Sequence, residues 1–171
     1  MRVIGKILNP IERDDRGQAL IELALSLPLL FIILLGAVEL GRLAFAAIEV
    51  SNAAKAAAQY ATFGGAYSAT SASGFDEAGM LTAAQADAAD LTSLSFVSGY
   101  PIMTCRCSGG GTANCGSGNI PPSGCAPPTS NIVVTVTVKT QTSFDPLVFI
   151  PGWTQGAITL YGWAQQQVLP L

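Results

Sequence analysis

One long apolar run near the N-terminus is the strongest hydrophobic signal in the chain. It covers residues 18–40, and between Gln18 and Val38 its only charged residue is Glu22. At about 1.5 Å per residue, a helix over this run is roughly 30 Å long, which matches the hydrocarbon core of a bilayer. Apolar residues occupy all sides of the helix, as in a lipid-exposed segment. The pattern predicts a transmembrane helix, which Pro28 is expected to kink.

The helix is predicted to continue beyond the membrane span. Residues 41–63 are rich in alanine, the strongest helix former, and contain no proline. Gly64 and Gly65 then end the helix, since glycine is common just after a helical C-terminus. A single helix of this length exceeds what an ordinary compact domain uses.

A second, amphipathic helix is predicted over residues 76–94, where apolar side chains return at helical spacing. Its apolar face comprises Met80, Ala84, Ala88 and Leu91. Acidic residues at its start suit the helix dipole.

Strict alternation of valine with polar residues gives the clearest strand, over residues 131–144. A turn at Pro151 and Gly152 then allows residues 157–168 to return as an antiparallel partner. Residues 96–103 are a candidate short strand, and the cysteine segment that follows, with its prolines, is expected to be a loop. Trp153 and Trp163 are interpreted as core or subunit-contact aromatics. These elements make residues 66–171 a small α+β domain.

Basic residues cluster before the apolar run. Four of the eight lysines and arginines lie in the first 17 positions, at Arg2, Lys6, Arg13 and Arg16. Basic charge beside a membrane segment holds that end in the cytoplasm. Residues 1–17 are therefore predicted to be a cytoplasmic leader, with everything after the helix translocated.

Composition narrows the functional classes. The chain has a net charge of −3 and no histidine. A negative balance argues against nucleic-acid binding, and the absence of histidine removes the commonest general base and metal ligand. We therefore expect no enzyme, no metal site and no cofactor. Only 11% of residues are charged, against about 25% in soluble domains, which favours contact with lipid or other subunits.

The four cysteines lie close together, at Cys105, Cys107, Cys115 and Cys125. An even number in an exported segment favours two disulfides. A bond between Cys105 and Cys107 would close a very small ring, so each is expected to pair with Cys115 or Cys125. A four-thiolate zinc site is the alternative, although the C-x-C spacing is not the usual paired C-x-x-C.

The junction of leader and apolar run carries the most specific motif. Gly17 precedes Gln18, and Glu22 is the fifth residue after Gly17. This arrangement resembles the prepilin-peptidase signature, in which the leader is cut after glycine and the apolar helix stays on the mature protein. A carboxylate inside an apolar span costs about 2.5–3.5 kcal/mol on insertion scales, so Glu22 is a functional candidate. The alternative is that Glu22 lies at the headgroup level and is simply solvated.

A wider stretch, residues 13–61 or so, resembles the TadE-like family of tight-adherence (Tad) pilus systems. Three motifs carry the resemblance: R-G-x-A-x-x-E, G-x-x-E-x-G-R and an alanine run that opens on asparagine. Their residues are Arg16, Gly17, Ala19 and Glu22, then Gly36, Glu39, Gly41 and Arg42, then Asn52. The resemblance implies a pilin-like fold, with a long N-terminal transmembrane helix followed by a small extracytoplasmic domain of a second helix and a short antiparallel sheet.

The resemblance also implies a function. It indicates a pseudopilin or minor pilin of a type IVb tight-adherence pilus, located in the bacterial inner membrane with its C-terminal domain in the periplasm. Such a subunit can also be incorporated into a surface pilus. The implied partners are other pilin-like subunits, the pilus assembly machinery, the lipid bilayer and a prepilin peptidase that cuts between Gly17 and Gln18. Glu22 would then pair with the new amine of Gln18 on a neighbouring subunit. Leu23 stands where pilins of this class often have tyrosine, so the alternative is an uncleaved, membrane-anchored periplasmic scaffold or binding protein of an envelope secretion system.

Overall fold

The computed structural model describes residues 15–63, 76–115, 123–125, 132–147 and 156–168. The chain divides into two compact units, Met1–Leu40 and Gly41–Leu171. Most of the predicted leader, the glycine pair at 64–65, the turn at 151–152, the prolines of the cysteine segment and Trp153 lie outside the described residues.

The predicted long helix is present as α1, Asp15–Thr62, and it has 48 residues. It stays helical through Pro28. At its end the Phe63 amide donates to the carbonyl oxygens of Gln59 and Tyr60, both at 3.2 Å. These shared bonds satisfy carbonyls that would otherwise lack a partner at the last turn.

The second helix is shorter than its apolar pattern predicted. It is α2, Glu77–Asp87, with Asp76 as N-cap, and so it ends well before residue 94. Asp87 and Asp90 lie at its C-terminal end, where acidic side chains oppose the helix dipole. Met80, Ala84 and Ala88 are fully buried as predicted, while Leu91 is half-buried outside the helix.

The described residues form four strands: β1 (Ser95–Phe96), β2 (Ile102–Cys107), β3 (Ile132–Phe144) and β4 (Ile158–Val168). β3 is central: β4 pairs along one edge, β1 and β2 pair along the other, and every pairing is antiparallel. The predicted pairing of residues 131–144 with 157–168 is confirmed, with Thr140 opposite Gly162.

The predicted strand over residues 96–103 is wrong in its extent. A turn divides it, in which the Tyr100 amide donates to the Val97 carbonyl oxygen at 3.0 Å and Gly99 has φ +84°. The chain then enters β2, which carries Cys105 and Cys107 into the sheet. These two cysteines therefore belong to a strand and not to the loop that the sequence predicted.

The core of the second unit lies between the C-terminal part of α1, α2 and one face of the sheet. β3 contributes alternate residues, among them Val134, Val136 and Val138. From α1 come mainly small side chains, at Val50, Ala53, Ala54, Ala57, Ala58 and Ala61. Small side chains let a helix backbone approach a sheet closely. The long apolar helix followed by this small helix-and-sheet domain confirms the predicted α+β class.

Candidate assembly helix

The N-terminal part of α1 presents an apolar surface to its surroundings. Its large apolar side chains are exposed, from Leu20 at 67% to Leu40 at 68%. Among the described residues one helix, Gly17–Thr62, is long and apolar enough to cross a membrane by length and composition. Exposed leucine and isoleucine on all sides of a helix are stable in lipid or against other apolar helices.

Glu22 is the carboxylate on this apolar surface. It is exposed, and its Oε1 accepts a hydrogen bond from Gln18 Nε2 at 3.2 Å. The two side chains lie one turn apart, on the same face of α1. A carboxylate among exposed leucines can also accept hydrogen bonds from another molecule, because one amide donor does not use all of its lone pairs.

Gly17 and Gln18 are both exposed in α1, close to its start at Asp15. A Cβ added at Gly17 would meet no described atom within 4 Å, so the packing of the described residues does not require glycine here. Glycine lowers helix stability by roughly 0.5–1 kcal/mol relative to alanine. The helix therefore unwinds more easily around the peptide bond that a peptidase would cut. Cleavage there stays a prediction.

The remaining TadE-like motif residues have different settings. Gly36 and Gly41 have open space around them in the described part of the chain, with no atom of it within 4 Å of an added Cβ. Asn52 is exposed and accepts a hydrogen bond from Lys55 Nζ at 3.4 Å. Ala19 is exposed and Glu39 is half-buried. The packing of the described residues does not explain the two glycines, and their missing side chains suit contact with another helix or with lipid.

Arg42, which belongs to the Gly41–Leu171 unit, contacts the sheet of that unit. Its guanidinium carbon lies 5.3 Å from the ring centroid of Phe144, at the end of β3. A cation over an aromatic face is attracted by the ring quadrupole. The sequence placed Arg42 in the motif but gave no sign of this contact, because nothing in the residue spacing links α1 to the end of β3.

A cleft of about 310 Å³ opens beside this contact, within the Gly41–Leu171 unit. Its lining includes Arg42, Phe45, Glu49, Asp90 and Asp145. Glu49 is half-buried, and its Oε2 is covered without a hydrogen-bond partner among the described residues. Burial, and then the charges of Asp90 and Asp87, raise the pKa of the Glu49 carboxyl. Residue spacing gives no sign of this cleft, because the residues that line it come from distant segments.

All four cysteines are bonded. Cys105 pairs with Cys115 and Cys107 pairs with Cys125, so the prediction of two disulfides that avoid a Cys105–Cys107 bond is confirmed. The alternative of a four-thiolate zinc site is wrong, since disulfide sulfurs cannot serve as thiolate ligands. Across the described part of the chain, no group of His, Cys, Asp or Glu could hold a metal ion.

Trp163 does not lie in the core. It lies on β4 and is 57% exposed. Of the two roles that the sequence suggested, core residue or subunit contact, the core role is therefore wrong. Its role as a contact to another molecule stays a prediction.

Comparison with known proteins supports the motif analysis. Residues 17–59, about a quarter of the chain, match a family model described as TadE-like protein. No curated protein and no solved structure matches the chain. The match begins at Gly17 and ends within α1, so it covers both the exposed apolar surface and the alanine-rich extension. Residues 17–59 of this chain are therefore a TadE-like region, in agreement with the resemblance that the sequence motifs indicated.

Proposed function

We propose that this chain is a pseudopilin or minor pilin of a tight-adherence pilus and acts in pilus assembly through helix packing in the inner membrane. The observation that carries the proposal is the TadE-like match on a helix whose apolar side chains are exposed. TadE-like proteins are associated with Tad pili and have a structural role, so the family match supports a pilus-associated protein. The specific assembly role is our inference from the helix surface.

Glu22 supports the proposal because it is the only charged residue of the apolar run between Gln18 and Val38. A buried or lipid-facing carboxylate is retained when it has a partner that offsets its charge. The α-amine of Gln18 on a neighbouring subunit has the right sign, and it would lie beside Glu22 if the neighbouring helix were shifted along the axis by about one turn, roughly 6 Å. The pair would hold neighbouring helices in register.

The topology proposed for the chain follows its charge and its cysteines. The apolar helix and the family match suggest a single-pass membrane protein. Basic residues before the span favour a cytoplasmic N-terminus, and the two disulfides in the second unit favour an oxidising compartment such as the periplasm. A prepilin peptidase acting between Gly17 and Gln18 would release the mature chain.

An uncleaved membrane-anchored scaffold is the second candidate, and Leu23 favours it. Pilins of the class that this region resembles often carry tyrosine directly after the glutamate, and leucine at that position removes one element of the signature. In that case the helix serves as an anchor, and the periplasmic domain provides the binding function for an envelope secretion system.

The assembly role is tested by replacing Glu22 in the native strain. Glu22→Ala removes the charge, and we expect membrane insertion to be unchanged while surface pili fall at least several-fold, because the register contact is lost. Ser26→Ala is the matched control: Ser26 lies one turn further on and its hydroxyl donates only to the Leu23 carbonyl oxygen, at 3.1 Å, among the bonds described. Wild-type pilus levels in Glu22→Ala would contradict the assembly role.

A further inference from the structure

The sheet has a solvent-facing side, which we name the outer sheet face: the side chains of β2, β3 and β4 that point away from the core. Successive residues of a strand point to opposite sides of the sheet. Val138 and Thr140 of β3 are fully buried, so Lys139 and Gln141 lie on the outer face. Their partners across the ladder are Trp163 and Tyr161 of β4.

Two aromatic side chains form the centre of the outer sheet face. Tyr161 and Trp163 are separated by one residue on β4, so they lie on the same side, and each is 57% exposed. Lys139 Nζ lies 5.0 Å from the Tyr161 ring centroid. Exposed tryptophan and tyrosine are characteristic of binding surfaces. Contact of their large rigid rings with water is unfavourable, and a ligand that covers the rings removes that contact.

The outer sheet face is also the basic side of an acidic domain. After residue 40 the chain has six acidic residues, Glu49, Asp76, Glu77, Asp87, Asp90 and Asp145, against four basic ones, Arg42, Lys55, Arg106 and Lys139. Arg106 and Lys139 both point outward from the sheet, on strands β2 and β3. No carboxylate of the described strands shares this face with them. Such a patch is complementary to an anionic ligand.

Between Arg106 and the two rings lie amide and hydroxyl side chains. Gln165 pairs with Thr137, and Gln167 pairs with Thr135, all on the outer side. Aliphatic exposure on this face is small by comparison, with Ile102 at 40%. Protein interfaces usually have an apolar centre. On this face the aromatic rings are instead flanked by amides, hydroxyls and a cation, which match the sugar rings, hydroxyls and carboxylates of a polysaccharide.

We propose that the outer sheet face binds a carboxylated polysaccharide. The apolar faces of its pyranose rings stack on Trp163 and Tyr161, its carboxylates lie against Lys139 and Arg106, and the glutamine amides bond its hydroxyls. This inference goes beyond pilus assembly and does not depend on it, because it rests only on the sheet. It gives the extracytoplasmic domain a surface ligand of its own.

Polygalacturonate and its fully methyl-esterified form separate the two parts of the proposed site. Both polymers have the same rings, but the ester has lost the charge. With the full chain in detergent micelles, measured by affinity electrophoresis, Trp163→Ala is expected to weaken binding of both polymers about tenfold. Lys139→Gln is expected to weaken only the acidic polymer, by several-fold and less at high salt.

Phe63→Ala is the matched control, because Phe63 is 89% exposed but lies at the end of α1; binding should be unchanged. Tyr161→Ala gives a second ring variant, with circular dichroism verifying the fold of each. Absence of polymer binding in the wild-type chain would overturn the proposal. An equal loss of polymer binding in Phe63→Ala would overturn it too. So would a Trp163→Ala chain that keeps polymer binding but no longer co-purifies with pilin-like subunits, since the face would then be a protein interface.

Discussion

Asp76 joins the two helices of the second unit through one carboxylate. Its Oδ1 accepts from the Gly79 amide at 3.0 Å and caps α2, and its Oδ2 accepts from the Tyr60 hydroxyl of α1 at 2.9 Å. The bond from the Gly79 amide, and then that from Tyr60, lower the pKa of the Asp76 carboxyl. The bond to Asp76 in turn raises the pKa of the Tyr60 hydroxyl. An added side chain at Gly79 would collide with both partners.

This carboxylate predicts an acid-sensitive contribution to stability. Because the pKa of Asp76 is lower in the folded chain, its contribution is present above the unfolded value of about 3.9 and is lost as the pH falls through the folded value. We expect Asp76→Ala to be less stable than wild type at pH 7 and to lose less stability between pH 5 and pH 3. Urea midpoints in detergent micelles measure this. Asp87→Asn, at the exposed end of α2, is the control; identical pH profiles for wild type and Asp76→Ala would contradict the role.

At the scale of secondary-structure elements, α1 is fixed to the sheet by one close backbone approach. Thr140 of β3 donates its buried hydroxyl to the Val50 carbonyl oxygen of α1 at 2.8 Å. Gly162, opposite Thr140 on β4, leaves room for that carbonyl, and a Cβ there would overlap the Val50 backbone and the Thr140 hydroxyl. The helix and two strands therefore meet at a point where only glycine fits.

Gly162→Ala is expected to destabilise the second unit by about 1–3 kcal/mol, since overpacking forces the helix away from the sheet. The urea midpoint of the detergent-solubilised chain should fall accordingly. Gly41→Ala serves as the matched control: nothing lies within 4 Å of an added Cβ there, and alanine in a helix gains about 0.5–1 kcal/mol over glycine. An unchanged midpoint in Gly162→Ala would contradict the close approach.

The elements differ in how far the sequence predicted them. α1 and β3 were predicted almost to the residue, because an unbroken apolar and alanine-rich run and a strict valine alternation are purely local signals. α2 was predicted too long, although Asp87 and Asp90 already opposed its C-terminus. β2 was missed in part because its inward residues, Cys105 and Cys107, were interpreted as loop cysteines and not as apolar strand positions.

The candidate site divides in the same way. Gly17, Gln18 and Glu22 are neighbours in sequence, so their spacing alone identified them as one motif. The contact of Arg42 with Phe144, and the cleft beside Glu49, depend on pairing between segments about a hundred residues apart. Residue spacing carries no signal for such pairings, because register and helix placement are set by the packed core as a whole.

At the scale of the whole molecule, the two disulfides stabilise the domain that follows the helix. Cys105–Cys115 and Cys107–Cys125 close loops with sequence separations of 10 and 18 residues. Such loops restrict the unfolded chain and add about 2–4 kcal/mol each. Cys105 is also a core residue, with 6% of its surface exposed. The Cys105–Cys115 bond therefore stabilises the domain by core packing as well as by loop closure.

Removing the disulfides is expected to lower stability in a definite order. Cys105→Ala with Cys115→Ala should cost more than Cys107→Ser with Cys125→Ser, because only the first removes a core side chain. Urea midpoints with and without a reductant measure both effects. A chain lacking all four cysteines is the control and should not respond to the reductant. Equal midpoints for reduced and oxidised wild type would show that the bonds contribute nothing.

The central claim is that the TadE-like helix belongs to a processed pilin-like subunit. Its most direct test is N-terminal sequencing and intact mass of the chain extracted from native membranes. We predict a mature chain that begins at Gln18, and an unprocessed one in Gly17→Leu. Gly36→Leu, at a second open glycine of the same helix, should be processed normally. A wild-type chain that begins at Met1 would contradict the claim and support an uncleaved anchor.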